Sequence, residues 1–233
     1  MPKLNWISDE DLKEAVNHIL IKAKKAKMDA SRNFGKNVVD PFSAIFEMSG
    51  FGMSYDDWVT SEEARQAQKT LQNFIGDFHQ NILGSCVDWQ NMNTGKIIDL
   101  VSPKRRVIAE VKNKHNTISG GKLADLYHSL ESAVMNKTSV YKGYTAYHAI
   151  IIPNKPIRYN KPFTPSNKET GQKCSENPLI RQIDGASFYT IVTGEVDALE
   201  QLYYVLPSVI SSLSTITPLE NDKLNALFKI AYG

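Results

Sequence analysis

The run Ile97-Ile98-Asp99-Leu100-Val101-Ser102-Pro103-Lys104-Arg105-Arg106-Val107-Ile108-Ala109-Glu110-Val111-Lys112 constrains this chain more than any other segment. Two β-branched stretches flank a proline-initiated turn, the pattern of an antiparallel hairpin. Side chains alternate faces along a strand, so Glu110 and Lys112 share one face. Pairing decides whether Asp99 joins them. A four-residue loop from Pro103 to Arg106 sets Ser102 opposite Val107, and counting outward brings Asp99 opposite Glu110. An odd loop would offset the pairing and separate them. Directly opposed residues have Cβ atoms roughly 5 Å apart, so the two carboxylates would be close enough to share one divalent cation.

The chain around this hairpin has 233 residues, 42% of them hydrophobic, enough for a full core. A single domain is expected over 1–233, with a helical region at 1–60, a core that holds the hairpin at 61–194 and helices at 195–233. Cys86 and Cys174 lie far apart in sequence without metal-ligand spacing, which favours a reducing cytoplasm over a disulfide framework. No apolar run approaches the ~20 residues of a membrane span, and the N-terminus lacks a signal-peptide core, so a cytoplasmic protein with no membrane partner is expected. Net charge is only +2, yet Lys and Arg gather at 22–27, 104–106, 112–114 and 155–173, a distribution suited to a local phosphate-binding surface.

Ser8 with Asp11 reads as a capping box, and Leu12, Ala15, Val16, Ile19, Leu20 and Ala23 predict a helix to about Ala30. Asp40-Pro41 predicts the start of a short helix that Gly50 stops. Thr60 with Glu63 opens a long one, its apolar positions in phase until Gly84. Ser85–Trp89 reads as a strand before the hairpin. Leu123, Leu126, Tyr127, Leu130 and Val134 predict a helix to about Lys137, and a strand is expected at about Tyr144–Ile152. Segment 153–180 carries five prolines and little periodicity, a basic loop longer than compact domains usually keep. A strand at Ser187–Val192 and helices at about Glu195–Leu206 and Pro218–Tyr232 complete the chain. The order predicts an α/β, or mixed α+β, fold: a central mixed sheet flanked by helices, the hairpin central and a crossover helix between neighbouring strands.

Two carboxylates on one face, with oxygen ligands only, suit Mg²⁺, which keeps several waters for substrate phosphate. Asp99 and Glu110 are the candidate metal ligands, with the backbone carbonyl of Val111 as a further one. Lys112 is the candidate to orient or deprotonate a water and to stabilise developing charge. The rival reading makes all three solvated or salt-bridged residues on an ordinary hairpin. Against it, the surrounding residues are apolar, and a buried unpaired carboxylate is costly in a way that metal coordination relieves.

Asp99, Glu110 and Lys112 in this order of elements resemble the PD-(D/E)xK nuclease superfamily, with Ile98 in place of the motif's proline. The continuation Glu110-Val111-Lys112-Asn113-Lys114-His115-Asn116-Thr117, the run Tyr141-Lys142-Gly143-Tyr144-Thr145-Ala146-Tyr147 and the segment Arg158-Tyr159-Asn160-Lys161-Pro162-Phe163-Thr164-Pro165-Ser166 resemble the Eco47II-type restriction endonucleases, from about Gln72 to Gly194. That resemblance implies a restriction-endonuclease-like core that cuts both strands of double-stranded DNA at a near-palindromic site, GGNCC or GGWCC. It also implies a homodimer, since protein symmetry mirrors that of the site, and a cognate cytosine methyltransferase as functional partner.

Candidate DNA-binding residues follow the active strand as Asn113, Lys114, His115, Asn116 and Thr117, with a solvated loop as the rival reading. Lys155, Arg158, Tyr159, Asn160 and Lys161 form a second group. Arg158, Lys161 and Arg181 are the candidates to read guanine. On the preceding helix, Gln80 is a candidate to ligate the metal or to support it from behind the ligands, and a surface or helix-capping role is the simpler reading for Gln80, Asp77 and His79 alike. Two other functions remain open on these residues: a repair or junction nuclease that reads DNA shape, and a non-catalytic DNA-binding module on the same fold. A purely structural hairpin is the outcome if the register is wrong.

Overall fold

The structure, a computed structural model, describes residues 2–93, 97–119, 121–167, 170–214 and 220–233. The chain divides into two compact units, Met1–Val16 with Gly76–Gly233 and Asn17–Ile75. Helices α1 (Asp9–Arg32) and α3 (Tyr55–Gly84) each contribute residues to both, while α2 (Pro41–Phe51) lies wholly in the second. The remaining elements belong to the first unit: β1 (Gln90–Asn91), β2 (Leu100–Ser102), β3 (Val107–Lys114), α4 (Lys122–Met135), β4 (Thr145–Ile152), β5 (Asn160–Pro162), β6 (Ile180–Asp184), α5 (Gly185–Thr193), α6 (Ala198–Leu213) and α7 (Asn221–Tyr232).

Among the described residues the strands form one mixed sheet in the order β1-β2-β3-β4-β6-β5. β2 and β3 pair antiparallel with Ser102 opposite Val107, Val101 opposite Ile108 and Leu100 opposite Ala109. The loop is therefore the four residues Pro103–Arg106, as the turn chemistry predicts. Arg106 closes it in the left-handed region, at φ 56°, with its N–H on the Pro103 carbonyl at 3.2 Å. β3 then crosses over through α4 to pair parallel with β4, and β4 pairs parallel with β6.

Both faces of the sheet are covered. On one, Ile108, Ala146 and Ile180 lie side by side and pack with Val101, Leu126, Tyr127, Leu130 and Val134, so the apolar stripe of α4 seats on the middle of the sheet. On the other, Tyr147 and Trp89 pack against Phe188 of α5, with ring centroids 5.9 and 5.8 Å apart. α5 follows β6 without a loop because Asp184 caps it, its Oδ1 accepting the Ser187 N–H at 2.9 Å while Oδ2 accepts the Tyr159 N–H at 2.6 Å. Gly185 is obligatory at this corner, since a Cβ there would stand 2.3 Å from the Ile151 carbonyl oxygen.

In the unit Asn17–Ile75, Trp58 is the anchor. Its ring meets Phe34 edge-on, and its Nε1 donates to Glu47 Oε2 at 3.0 Å, which turns the one charge of α2 inward.

Several expectations are corrected. Ser187–Val192 is helical rather than extended: buried Phe188, Tyr189 and Val192 recur at helical spacing, and the Asp184 cap with Gly194 in the left-handed region ends the helix at both sides. The strand lies just before it, at β6. Ser85–Trp89 is a turn, closed by Cys86 N–H to Leu83 O and Trp89 N–H to Cys86 O, and only Gln90–Asn91 pairs with β2. α3 begins at Tyr55 because Ser54 and Asp57 cap it, and Thr60 instead folds its hydroxyl back onto the Asp56 carbonyl. α2 runs past Gly50 to its left-handed cap at Gly52. Segment 153–180 is no continuous loop, since β5 within it adds an antiparallel edge to the sheet. α6 starts at Ala198 and continues through Pro207 to Leu213. The predicted positions Pro218 and Leu219 lie outside the described residues, and the last helix is described from Asn221.

Candidate active site

β2 ends one residue short of what its partner could pair, and this break makes the site. The Asp99 N–H reaches the Ala109 carbonyl at 2.9 Å, and its carboxylate Oδ2 accepts the Val111 N–H at 2.8 Å, the bond a longer β2 would otherwise supply. Asp99 is thus held at the strand's entry, facing Glu110 as the register implies. The N–H and C=O of one strand residue point to the same side, so the Val111 carbonyl opens toward Asp99 too. Gln80 of α3 approaches that carbonyl with Nε2 at 3.5 Å, and Asp77, one turn earlier, lies near enough for its charge to act on Asp99.

The electrostatics are those of an incomplete constellation. Glu110 is 7% exposed; one of its oxygens pairs with the Lys112 ammonium, and Oε2 has no hydrogen-bond partner. Burial, and then the charge of Asp99, push the Glu110 carboxyl up to about 8. Burial also raises Asp99, against the pull of the Val111 N–H and of Lys112. Each carboxylate thus acts on the titration of the other. Two desolvated carboxylates and a free-edge carbonyl are an all-oxygen donor set, and one cationic amine does not balance them. A hard divalent cation fits this deficit. Among the described residues no cluster of three or more His, Cys, Asp or Glu is placed to hold a metal.

One residue of the site was missed by sequence reasoning. His148 on β4 stands beside Glu110 in the parallel register, and Gln182 of β6 and Lys161 of β5 continue the same row across the sheet. His148 is 2% exposed, its ring lies tilted against Phe163 with centroids 4.8 Å apart, and its Nδ1 has no hydrogen-bond partner. Burial, and then the Lys112 charge, lower its pKa to about 4, so the imidazole is neutral at physiological pH. A lone His within Thr145–Ile152 signals nothing until the β3/β4 register is known.

The other candidates divide. Lys161 lies on the Glu110 face, at the far edge; three interstrand steps of ~4.8 Å put it about 14 Å away. Its ammonium sits 5.1 Å over the Tyr159 ring. Asn160 and Arg181 share the opposite face, where the guanidinium grips Asn160 through Oδ1 at 2.6 Å and the carbonyl at 2.7 Å. Arg158 is exposed, with its guanidinium on the Val196 carbonyl at 2.7 Å, and Lys155 is exposed in the turn after β4. Lys114 to Thr117 form a tight turn directly beyond Lys112, the Thr117 hydroxyl donating to the Lys114 carbonyl at 2.7 Å, with His115 and Asn116 exposed. Asn113 is not with them: it points to the other face, buried beside Gly76, with Oδ1 unpartnered. His79 is half-buried and bonded through Nδ1 to the Tyr189 hydroxyl at 2.8 Å, a structural position.

Comparison with known proteins places this geometry in context. The family model described as Eco47II restriction endonuclease matches residues 4–215. The chain is 50% identical to the type II restriction enzyme Eco47II of Escherichia coli over the whole of both chains. It is 32% identical to the type II restriction enzyme Sau96I of Staphylococcus aureus, covering 88% of this chain and 78% of that one.

Proposed function

The chain belongs to the Eco47II restriction endonuclease family, and we propose that it hydrolyses both strands of double-stranded DNA at a short near-palindromic site, GGNCC or GGWCC, through the Asp99, Glu110 and Lys112 constellation. Both relatives are named type II restriction enzymes, which fits a type II site-specific deoxyribonuclease. The observation that carries the residue assignment is the pairing of two desolvated carboxylates with one lysine at the open end of β2, where Glu110 Oε2 lacks a partner.

Asp99, Glu110 and the Val111 carbonyl would hold Mg²⁺. When bound, that ion polarises a phosphodiester oxygen and lowers the pKa of a coordinated water. The chain's own groups do the rest. Asp99 is fixed by the Val111 N–H, so its free oxygen keeps one direction. Lys112, a quarter exposed, reaches solvent from a buried strand and is placed to orient the attacking water and to steady charge developing on the phosphate. Gln80 steadies the Val111 carbonyl from α3. Lys114, His115, Asn116 and Thr117 lie beside the scissile position, where phosphate contacts would fix register. Lys161, on the Glu110 face, and Arg158 and Arg181 are the candidates to read guanine, with Lys155, Tyr159 and Asn160 as further candidate DNA contacts. Asn113, facing the core, has a structural part. A two-fold DNA site implies a homodimer, and a cytosine methyltransferase of the same specificity is the functional partner.

Incubation of the protein with phage DNA and Mg²⁺, followed by sequencing of fragment ends, tests the reading. Discrete fragments sharing one end sequence are expected. Asp99→Ala and Lys112→Ala abolish cleavage while leaving specific binding in Ca²⁺ largely intact; wild-type cutting by either variant refutes the residue assignment.

A further inference from the structure

We propose that the outer face of α2 is where two copies of this chain associate. The inference rests on the two-fold reading of the DNA site for its choice of partner, and on the helix itself for its place. α2 carries one charge in eleven residues, Glu47, and that carboxylate is turned inward to Ser43 Oγ at 2.7 Å and Trp58 Nε1 at 3.0 Å. The outward stripe is Phe42, Ile45, Phe46, Ser49 and Gly50, which recur at helical spacing. Phe42, Ile45 and Phe46 are 74%, 58% and 76% exposed, although nothing about a solvated helix calls for them. They alone present on the order of 400 Å² of apolar surface, the size at which a patch on a monomer marks an interaction site. The stripe supplies about half of the ~800 Å² per partner of a standard interface, and Val38, Phe51 at the end of α2 and Tyr55 at the start of α3 are also exposed nearby in the chain.

The stripe is complementary to itself. Its first half is large and apolar, and its second half, Ser49 and Gly50, is small. A two-fold axis near Phe46 would run two α2 helices antiparallel, setting Phe42 of each copy over Gly50 of the other. A Cβ added at Gly50 meets nothing within 4 Å in the protomer, so the space above it is open to a partner's ring. The absence of charge on this stripe argues against DNA as the occupant, since backbone phosphates select Lys and Arg.

Sedimentation velocity of the full chain without DNA, with Phe46→Glu and Gly50→Met as variants, tests the proposal. Wild type is expected at twice the chain mass at micromolar concentration, and both variants at once the chain mass with unchanged circular dichroism. Gly50→Met keeps the helix in its open space yet fills the pocket for Phe42. Hydrogen exchange gives a readout free of mutation: wild-type α2 amides are protected at micromolar concentration and lose protection on dilution. A monomeric wild type, or variants that stay dimeric, overturns the surface. Cleavage is read separately. If wild type dimerises through α2 and does not cut DNA at a two-fold site, the endonuclease reading fails and the surface stands; if it cuts and the variants remain dimeric, the reverse holds.

Discussion

Glu110→Gln should make the metal-free protein more stable at alkaline pH while removing cleavage. The wild-type carboxyl titrates at about 8 in the folded chain against an ordinary 4.5. Because the folded value is raised, Glu110 costs nothing below about pH 4.5, where it is protonated in both states. The penalty grows as pH rises through the folded value and is complete above about 8. Its ceiling is about 5 kcal/mol at 1.36 kcal/mol for each pKa unit. Glutamine keeps the shape and removes the charge, but it also takes from Lys112 its ionic partner, so the expected net gain is about 2 kcal/mol. For a chain of this size that is a rise of roughly 4–8 °C in unfolding temperature. Thermal unfolding in chelator at about pH 4 and about pH 9 reads the effect, with the gain confined to the alkaline samples. Added Ca²⁺ should stabilise wild type and leave the variant unmoved. A variant no more stable than wild type at about pH 9 would refute the idea that Glu110 is a desolvated carboxylate awaiting a cation.

His148→Phe fills the same space without the orphaned Nδ1, so the fold should be unchanged or stabilised by up to about 1 kcal/mol, while the Mg²⁺ needed for half-maximal cleavage rises roughly 10-fold; titrating Ca²⁺ binding by calorimetry checks this apart from activity, and equal affinities would remove His148 from the site. Asp184→Ala leaves two backbone donors, Tyr159 N–H and Ser187 N–H, without their acceptor in a buried corner, and should cost about 2–4 kcal/mol in chemical denaturation. A loss under about 1 kcal/mol would show that water replaces the carboxylate there.

The hairpin was legible because turn chemistry and period-two alternation are local, and together they fix Ser102 against Val107. The crossover through α4 was legible for a similar reason, its stripe from Leu123 to Val134 being strictly periodic. The segment 187–192 was not, because β-branched and aromatic residues favour strands until a buried face and two caps decide otherwise, and packing on residues distant in sequence, Trp6, Trp89 and Tyr147 among them, supplies that face. The start of α3 was missed where two capping pairs compete: Ser54 with Asp57 wins over Thr60 with Glu63 because it lies outside the first helical turn. His148 illustrates a different limit. Its neighbour Glu110 is 38 positions away, and parallel pairing across a crossover leaves no short-range mark.

The early ending of β2 has a consequence for how this protein must be kept apart from its neighbours. Natural sheets hide or blunt unpaired strand edges, because such edges recruit other strands. Here two backbone groups of Val111 face an unfinished edge, one held by a side chain and the other lightly touched by Gln80. Regularising the hairpin, by any change that lets residue 98 pair onward with β3, would improve the sheet and close the site. Selection for a tidier, more stable strand and selection for cutting therefore pull against each other at this one position, and the carboxylate of Asp99 is the stopper that keeps the edge from being sealed.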